Sequence, residues 1–231
     1  MTLARAFLLA LLLLTGAAGA RAADEAQDGE WISYRDAYRQ MIRFEKYGKP
    51  KHLVQHHLQV VPKDKGVSLE GARLTLTGPS LQLNLPLDAA GRAVFPFLKS
   101  AYDDNARIVL NRKVGQYLLQ PRISLAPRAD GTYELGDLRA ACEQALDYLR
   151  HAGRPGMQDK ACSGVRFSYP RDASPVVRLR GAAQTLAVEE AAAFADAAAP
   201  LFKTVSYRFG DADKGTLITE GAPVAIAPEF R

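Results

Sequence analysis

The segment at residues 74–85 reads LTLTGPSLQLNL and decides the fold class. Leucines alternate with Thr, Gln and Asn on both sides of Gly78-Pro79-Ser80. Alternation with a period of two predicts strands that bury one face, and Gly-Pro-Ser is typical of a turn. The segment therefore predicts two antiparallel strands joined across Gly78.

The β pattern continues on both sides of this segment. Short runs with strand character begin at Leu53 and recur at residues 93–95, 107–110 and 117–125, and residues 88–91 have the composition of a turn. We predict about six short strands between residues 53 and 125. Strands at this density and regular spacing are typical of an antiparallel sandwich.

Two other segments have helical periodicity. Residues 33–47 place aromatic and aliphatic side chains towards one side and arginines on the other, with Ser33 predicted as the N-cap and Asp36 reaching back to it. Residues 135–152 carry an apolar stripe and are followed by Gly153 and Pro155, which are typical of a helix end. We predict an N-terminal helix and a second helix that connects two β regions.

The region after residue 164 resembles a diverged copy of the first β region. Residues 61–64 match residues 169–172 through a shared Pro-basic-Asp sequence, residues 74–78 match 177–181 through a shared glycine, and residues 123–127 match 224–228. Two similar β units would bury a better core together than either unit alone. The alternative is that there is no repeat, because any two β-rich segments can be aligned through their alternation of apolar and polar residues alone.

The repeat makes specific predictions for the second unit. Residues 177–179 and 186–188 should be adjacent strands joined across Gly181, as residues 74–76 and 83–85 should be across Gly78. Eight residues should then face inward: Leu74, Leu76, Leu83, Leu85, Val177, Leu179, Leu186 and Val188. Residues 189–199 are ambiguous, because the repeat predicts a turn and a strand, whereas their Ala and Glu content favours a helix over part of them, with Glu189 and Glu190 at its start.

The predicted fold class is therefore α+β and mainly β, with two similar antiparallel sandwich-like units, an N-terminal helix and a connecting helix. The predicted organisation is a signal peptide (1–22), an N-terminal helix region (23–52), a first β unit (53–133), a connecting helix with a disulfide loop (134–162) and a second β unit (163–231).

The first 22 residues have the three parts of a secretory signal. Arg5 precedes an apolar run at residues 6–14, and Ala20-Arg21-Ala22 fits a cleavage site. The run is too short to span a bilayer. These features predict a mature protein that starts near Ala23, is periplasmic or secreted, and does not span a membrane.

The charge of the chain is mildly basic. The net charge is +5, and the loss of the two arginines of the signal peptide lowers it to +3. The sequence contains no dense run of Lys and Arg, so nucleic acid is not the predicted partner. An anionic polymer of the envelope is kept as an alternative partner.

The two cysteines are Cys142 and Cys162. An even number of cysteines in an exported protein predicts a disulfide, which would stabilise the fold by roughly 3 kcal/mol. The alternative is a redox or nucleophilic thiol, but the sequence has no Cys-x-x-Cys motif.

The candidate metal ligands are His52, His56 and His57, which stand within six residues. Their neighbours favour a strand, on which His52 and His56 would be about 13 Å apart, too far to hold one ion. No carboxylate lies among them to complete a ligand set. The favoured interpretation is a polar strand face, and neither a metal nor a cofactor is predicted.

A resemblance to a known family rests on Leu85-Pro86-Leu87-Asp88, the turn at residues 90–92 and the run at residues 104–110. With the flanking helices, this pattern resembles a family of exported Gram-negative proteins catalogued only as a domain of unknown function, over roughly residues 31–170. The resemblance implies an envelope location and supplies no activity or site residues. The β units also look transthyretin-like and immunoglobulin-like, which is an analogy of fold alone.

Two functional hypotheses follow. The first is a noncatalytic envelope module that binds a partner protein or polymer, favoured because no catalytic motif is found in the sequence. The second is a hydrolase acting on envelope glycan or peptide, with its acids or His52, His56 and His57 brought together by folding. A deep pocket with paired carboxylates, or a histidine paired with a carboxylate, would favour the hydrolase. A flat sheet face or an open sheet edge would favour the binding module.

Overall fold

The computed structural model describes residues 29–113, 115–197, 200–210 and 214–231. The predicted signal peptide lies outside these residues. The described residues form a mainly β structure with several antiparallel sheets, which confirms the predicted fold class. No helix among them is both long enough and apolar enough to cross a membrane.

The described residues of the first unit form seven strands and two helices. They are β1 (Gly29–Ser33), α1 (Tyr34–Glu45), β2 (Val54–Pro62), β3 (Leu74–Thr77), β4 (Gln82–Leu85), β5 (Arg92–Ala93), α2 (Lys99–Asp103), β6 (Arg107–Lys113) and β7 (Tyr117–Leu125). Sheet A has the strand order β1-β6-β3-β4, and sheet B has the order β5-β2-β7. The six strands predicted between residues 53 and 125 are therefore confirmed as β2 to β7.

In the second unit, the part of the chain that the structure describes forms seven strands and one helix. They are β8 (Thr132–Glu134), α3 (Leu135–His151), β9 (Cys162–Tyr169), β10 (Val176–Leu179), β11 (Glu189–Ala192), β12 (Leu201–Arg208), β13 (Thr216–Glu220) and β14 (Ala225–Phe230). Sheet C has the strand order β10-β13-β8, and sheet D has the order β11-β12-β9-β14.

The two units share their strand order. In each, a strand leads directly into a helix (β1 into α1, β8 into α3), and the order β1-β6-β3 in sheet A matches β8-β13-β10 in sheet C. The junctions match in detail, because the amide of Tyr34 donates to the carbonyl of Ala106 and the amide of Leu135 donates to the carbonyl of Gly215 (2.8 and 3.0 Å). The repeat therefore includes both helices, which the sequence comparison had left outside it.

The predicted second hairpin is wrong in detail. In the first unit Leu74 pairs with Leu85 across the Gly78 turn, as expected. In the second unit residues 186–188 form no strand; a single backbone bond joins the amide of Leu186 to the carbonyl of Val177 (2.8 Å), and β10 pairs with β13 instead. The two-unit architecture is thus supported by the order of the strands and not by this hairpin.

Two other parts of the sequence match between the units do not agree with the structure in register. The Pro-basic-Asp match pairs Leu58 with Arg166, yet Leu58 is buried in the first core and Arg166 lies on the face of β9 opposite to the buried Phe167. The match of residues 123–127 with 224–228 also fails in register, because Ser124 pairs with Gln55 near the start of β2, whereas its match Ala225 pairs with Ser168 near the end of β9.

The inward-facing predictions hold for the strand centres and fail at the edges. The buried residues are Leu74, Leu76, Leu85 and Val177, and the half-buried ones are Leu179 and Leu186. Leu83 is 40% exposed and Val188 is 45% exposed, so both predictions are wrong. Leu83 lies in β4, an edge strand of sheet A, and Val188 lies outside the strands.

For the described residues 189–197, the helix favoured by composition is wrong, and a strand is present, as the repeat predicted. Glu189–Ala192 is strand β11, paired antiparallel with β12. Glu190 lies opposite Lys203 and binds its ammonium at 2.8 Å. Pairing with β12 therefore overrides the helix propensity of Ala and Glu.

Both helices are confirmed, but the predicted cap of the first is wrong. Ser33 makes no side-chain cap bond, and its hydroxyl donates to Oδ1 of Asn105 at 2.9 Å. Asp36 binds Arg39 on the same helix (2.8 Å) and does not reach back. The first amide of α1 is satisfied by the neighbouring strand end, so a side-chain cap is not needed there.

The predicted disulfide between Cys142 and Cys162 is confirmed, with the two Cα atoms 6.0 Å apart. It joins the middle of α3 to the first residue of β9. The bond closes a loop across the C-terminal half of the helix, and Cys142 is fully buried.

Two leucines of the first hairpin provide a test of the fold. Leu76 in β3 is fully buried, whereas its partner Leu83 in β4 is 40% exposed. We expect Leu76→Ala to lower the free energy of unfolding by about 2 to 5 kcal/mol, because it leaves a cavity in a packed core, and Leu83→Ala to lower it by less than about 1 kcal/mol. Urea denaturation of both variants measures the difference, and equal losses would contradict the difference in burial between the central strand and the edge strand.

Candidate functional site

The three histidines are not brought together. His52 is exposed ahead of β2, and His56 and His57 are consecutive residues of β2, so their side chains point to opposite faces of sheet B. Throughout the described ranges, no group of three or more His, Cys, Asp or Glu side chains is placed to hold a metal ion. The candidate ligands thus do not form a metal site.

His56 is packed among aromatic rings. Its ring centroid lies 4.8 Å from that of Phe44 and 5.6 Å from that of Tyr148 on α3. Neither ring nitrogen has a hydrogen-bond partner. Burial, with smaller contributions from the charges of His57 and Lys51, lowers the pKa of His56 from 6.5 to about 4. The side chain is therefore neutral at neutral pH and has a packing role.

The opposite, outer face of sheet B carries Arg92, which is buried, and Arg122, which is largely buried. Arg92 binds Asp88 at 2.8 Å and Ser124 at 2.9 Å, and it donates to the carbonyl of Val224 in the second unit. Its side chain is only 7% exposed. Arg92 therefore links the two units through a contact that is almost completely buried.

The second arginine, Arg122, has partners in both units. It pairs with Asp196 at 2.7 Å and donates to Oε1 of Gln59, and its guanidinium lies 4.4 Å from the ring centroid of Phe194. Burial lowers the pKa of Arg122, and the charge of Asp196 opposes that shift. We call Arg92, Arg122, Asp88, Asp196 and Phe194 the arginine cluster; it covers the outer face of sheet B.

A cleft of about 420 Å³ lies on the outer face of sheet D. Antiparallel partners point to the same side of a sheet, and the pairing places Ser206 beside Arg166, and Arg208 and Glu229 on either side of Gly164. The residues that line the cleft are Arg166, Leu186, Ala187, Glu189, Ser206, Tyr207, Arg208 and Glu229.

Gly164 allows the backbones of β9 and β12 to approach closely beside the cleft. A Cβ atom at this position would lie 2.3 Å from the carbonyl oxygen of Tyr207, a distance that real side chains do not reach. Because only glycine fits, the row across the strands has no side chain between Arg208 and Glu229. Gly164 itself is buried, and the cleft is lined by the side chains around it.

An ion pair lies at the centre of the cleft. Arg166 binds Glu229 at 2.6 Å and donates to the carbonyl of Ala192 at 3.2 Å, and the hydroxyl of Ser206 donates to the same Glu229 oxygen at 3.1 Å. Both charged side chains are about three-quarters buried or more. Their partners hold them in fixed positions, and Arg166 neutralises the carboxylate of Glu229.

The two ends of the cleft carry free charges. Within the described part of the chain, the carboxylate of Glu189 and the guanidinium of Arg208 have no ion-pair or hydrogen-bond partner. Both residues are exposed. The cleft thus combines a paired centre with one unpaired anion and one unpaired cation, an arrangement suited to binding.

Sequence reasoning did not find these residues. Arg166 and Glu229 are far apart in the chain and meet because β14 pairs with β9, so no short motif contains them. The available signal was Gly164 at the start of a strand, since a glycine inside a strand marks close approach of another backbone.

No family model, no curated protein and no solved structure matches this chain. The resemblance to an exported Gram-negative family therefore stays a prediction, and the cleft has to be interpreted from its own chemistry.

His56 makes the stability of the protein depend on pH. Below pH 6.5 the unfolded chain binds a proton on His56 that the folded chain binds only near pH 4, so stability falls as the pH drops through this window. At pH 4.5 this effect should cost about 2 to 3 kcal/mol relative to pH 7.5. We expect His56→Gln to remove that part of the loss in urea denaturation and the exposed His52→Gln to leave it unchanged. The same pH dependence in His56→Gln as in the wild type would contradict this role.

Proposed function

We propose that this protein is a noncatalytic module of the bacterial envelope that binds a segment of an envelope protein or polymer in the cleft of sheet D. The observation that carries the proposal is the cleft itself, with a fixed ion pair at its centre and free charges at both ends. Binding sites of this size commonly combine a few placed polar groups with apolar walls, which Leu186 and Ala187 provide here.

The arrangement of polar groups favours binding over hydrolysis. A serine nucleophile needs a base that can take its proton. The acceptor of Ser206 is Glu229, whose charge is already neutralised by Arg166, and none of the described residues that line the cleft is a histidine. The alternative of a hydrolase acting on envelope glycan or peptide would use Glu189 and Glu229, the two carboxylates of the cleft.

The proposed location is the periplasm or the exterior of the cell. The first 22 residues have the composition of a secretory signal. The Cys142–Cys162 bond supports the same proposal, because disulfides persist in oxidising compartments.

The proposal is tested by capture of envelope material on the mature chain. Residues 23–231, tagged at the N-terminus, are incubated with purified cell-wall sacculi and, separately, with detergent-solubilised envelope proteins. We expect one of the two materials to bind, and Arg208→Glu to weaken that binding at least about tenfold, because charge-assisted bonds at the cleft are lost. Lys65→Glu is the matched control, since it makes the same change of charge at an exposed residue of the first unit.

The outcomes are distinct. Binding that survives Lys65→Glu and is lost in Arg208→Glu supports the cleft as the binding site. Equal binding by wild type and both variants, or binding by none of them, would overturn the proposal. Release of soluble fragments from the captured material by the wild type, abolished by Glu229→Gln, would establish the hydrolase in its place.

A further inference from the structure

The free charges of the cleft lie at opposite ends of one strand face. Glu189 on β11 pairs with Thr204 on β12, so the two side chains share the outer face of sheet D. Arg208 lies four residues further along β12 on the same face. At about 3.3 Å per residue, roughly 13 Å separates the position of Glu189 from that of Arg208.

Between these ends the cleft is electrically neutral and polar. Arg166 and Glu229 neutralise each other at 2.6 Å, and Ser206 adds a hydroxyl beside them. In the row across the strands, no side chain stands between Arg208 and Glu229, because Gly164 lies between them. Such a centre offers donors and acceptors to uncharged amide groups, whereas a formal charge at this point would find no unpaired partner.

We propose that the cleft binds a short extended peptide with a free ammonium at one end and a free carboxylate at the other. The carboxylate lies at Arg208, whose planar guanidinium suits carboxylate geometry, and the ammonium lies at Glu189. An extended chain covers about 3.3 to 3.6 Å per residue, so a span of roughly 13 Å corresponds to three or four residues. This inference rests on the proposed function and specifies its ligand.

The charges argue against the other ligand classes. A polyanion would place negative groups beside Glu189 and Glu229, and a polycation would place positive groups beside Arg208. A neutral glycan would gain nothing from the separation of Glu189 and Arg208. A zwitterion aligned along β12 is complementary to both ends.

The test uses tetra-alanine in four forms: with both ends free, acetylated at the N-terminus, amidated at the C-terminus, and blocked at both ends. Calorimetric titration of the mature chain measures the dissociation constant of each. We expect the free peptide to bind most tightly and each single block to weaken binding at least about tenfold. Loss of one charge-assisted contact accounts for a change of this size.

Two variants assign the ends of the peptide. In Arg208→Gln, amidation should no longer weaken binding, whereas acetylation still should; in Glu189→Gln the pattern should be the reverse. Glu190→Gln is the control, because Glu190 is the neighbouring residue on the other face of β11 and binds Lys203. It should behave like the wild type.

Equal binding of free and blocked peptides would overturn the inference, as would the absence of peptide binding. In either case, capture of envelope material that still depends on Arg208 would leave the proposed function intact and show that the ligand is of another class. If that capture is also independent of Arg208, the proposed function falls together with the inference.

Discussion

The packing of α3 against both β units is the constraint on which the rest of the structure depends. The helix contacts β9 and β14 of its own unit and β2 and β7 of the first. Tyr148 packs against Phe44 and Tyr47 with ring centroids 5.0 and 5.4 Å apart, so residues of both units belong to one core cluster. Because apolar surface of each unit is buried only in the presence of the other, the repeat forms a single structural body.

A second contact between the units decides which surface is left for a ligand. Arg92, Arg122 and the loop that carries Phe194 and Asp196 cover the outer face of sheet B. Ala225 and Phe202 of sheet D join the same apolar contact, so one part of its outer face is covered as well. The part that carries Arg166, Ser206, Arg208 and Glu229 forms the cleft. The two outer faces therefore differ, since that of sheet B is an interface between the units and part of that of sheet D carries the candidate site.

The sequence predicts the elements well and their relations poorly. Alternation in residues 74–85 and the helical stripe of residues 135–152 report local burial, so the corresponding strands and helix were found. Two features depend on which strand each segment pairs with, and the local sequence pattern does not contain that information. They are the exposure of Leu83 at the edge of its sheet and the strand at Glu189–Ala192. Arg166 and Glu229 were missed for the same reason, because strand pairing alone brings them together.

Differential scanning calorimetry of the mature chain tests most directly the claim that the two units share one core. The shared cluster around α3 requires both units to unfold together. The account predicts a single transition in which the calorimetric enthalpy equals the van't Hoff enthalpy. Two resolved transitions, or a van't Hoff enthalpy near half of the calorimetric value, would contradict it, because each unit would then be stable without the contacts that α3 makes to the other.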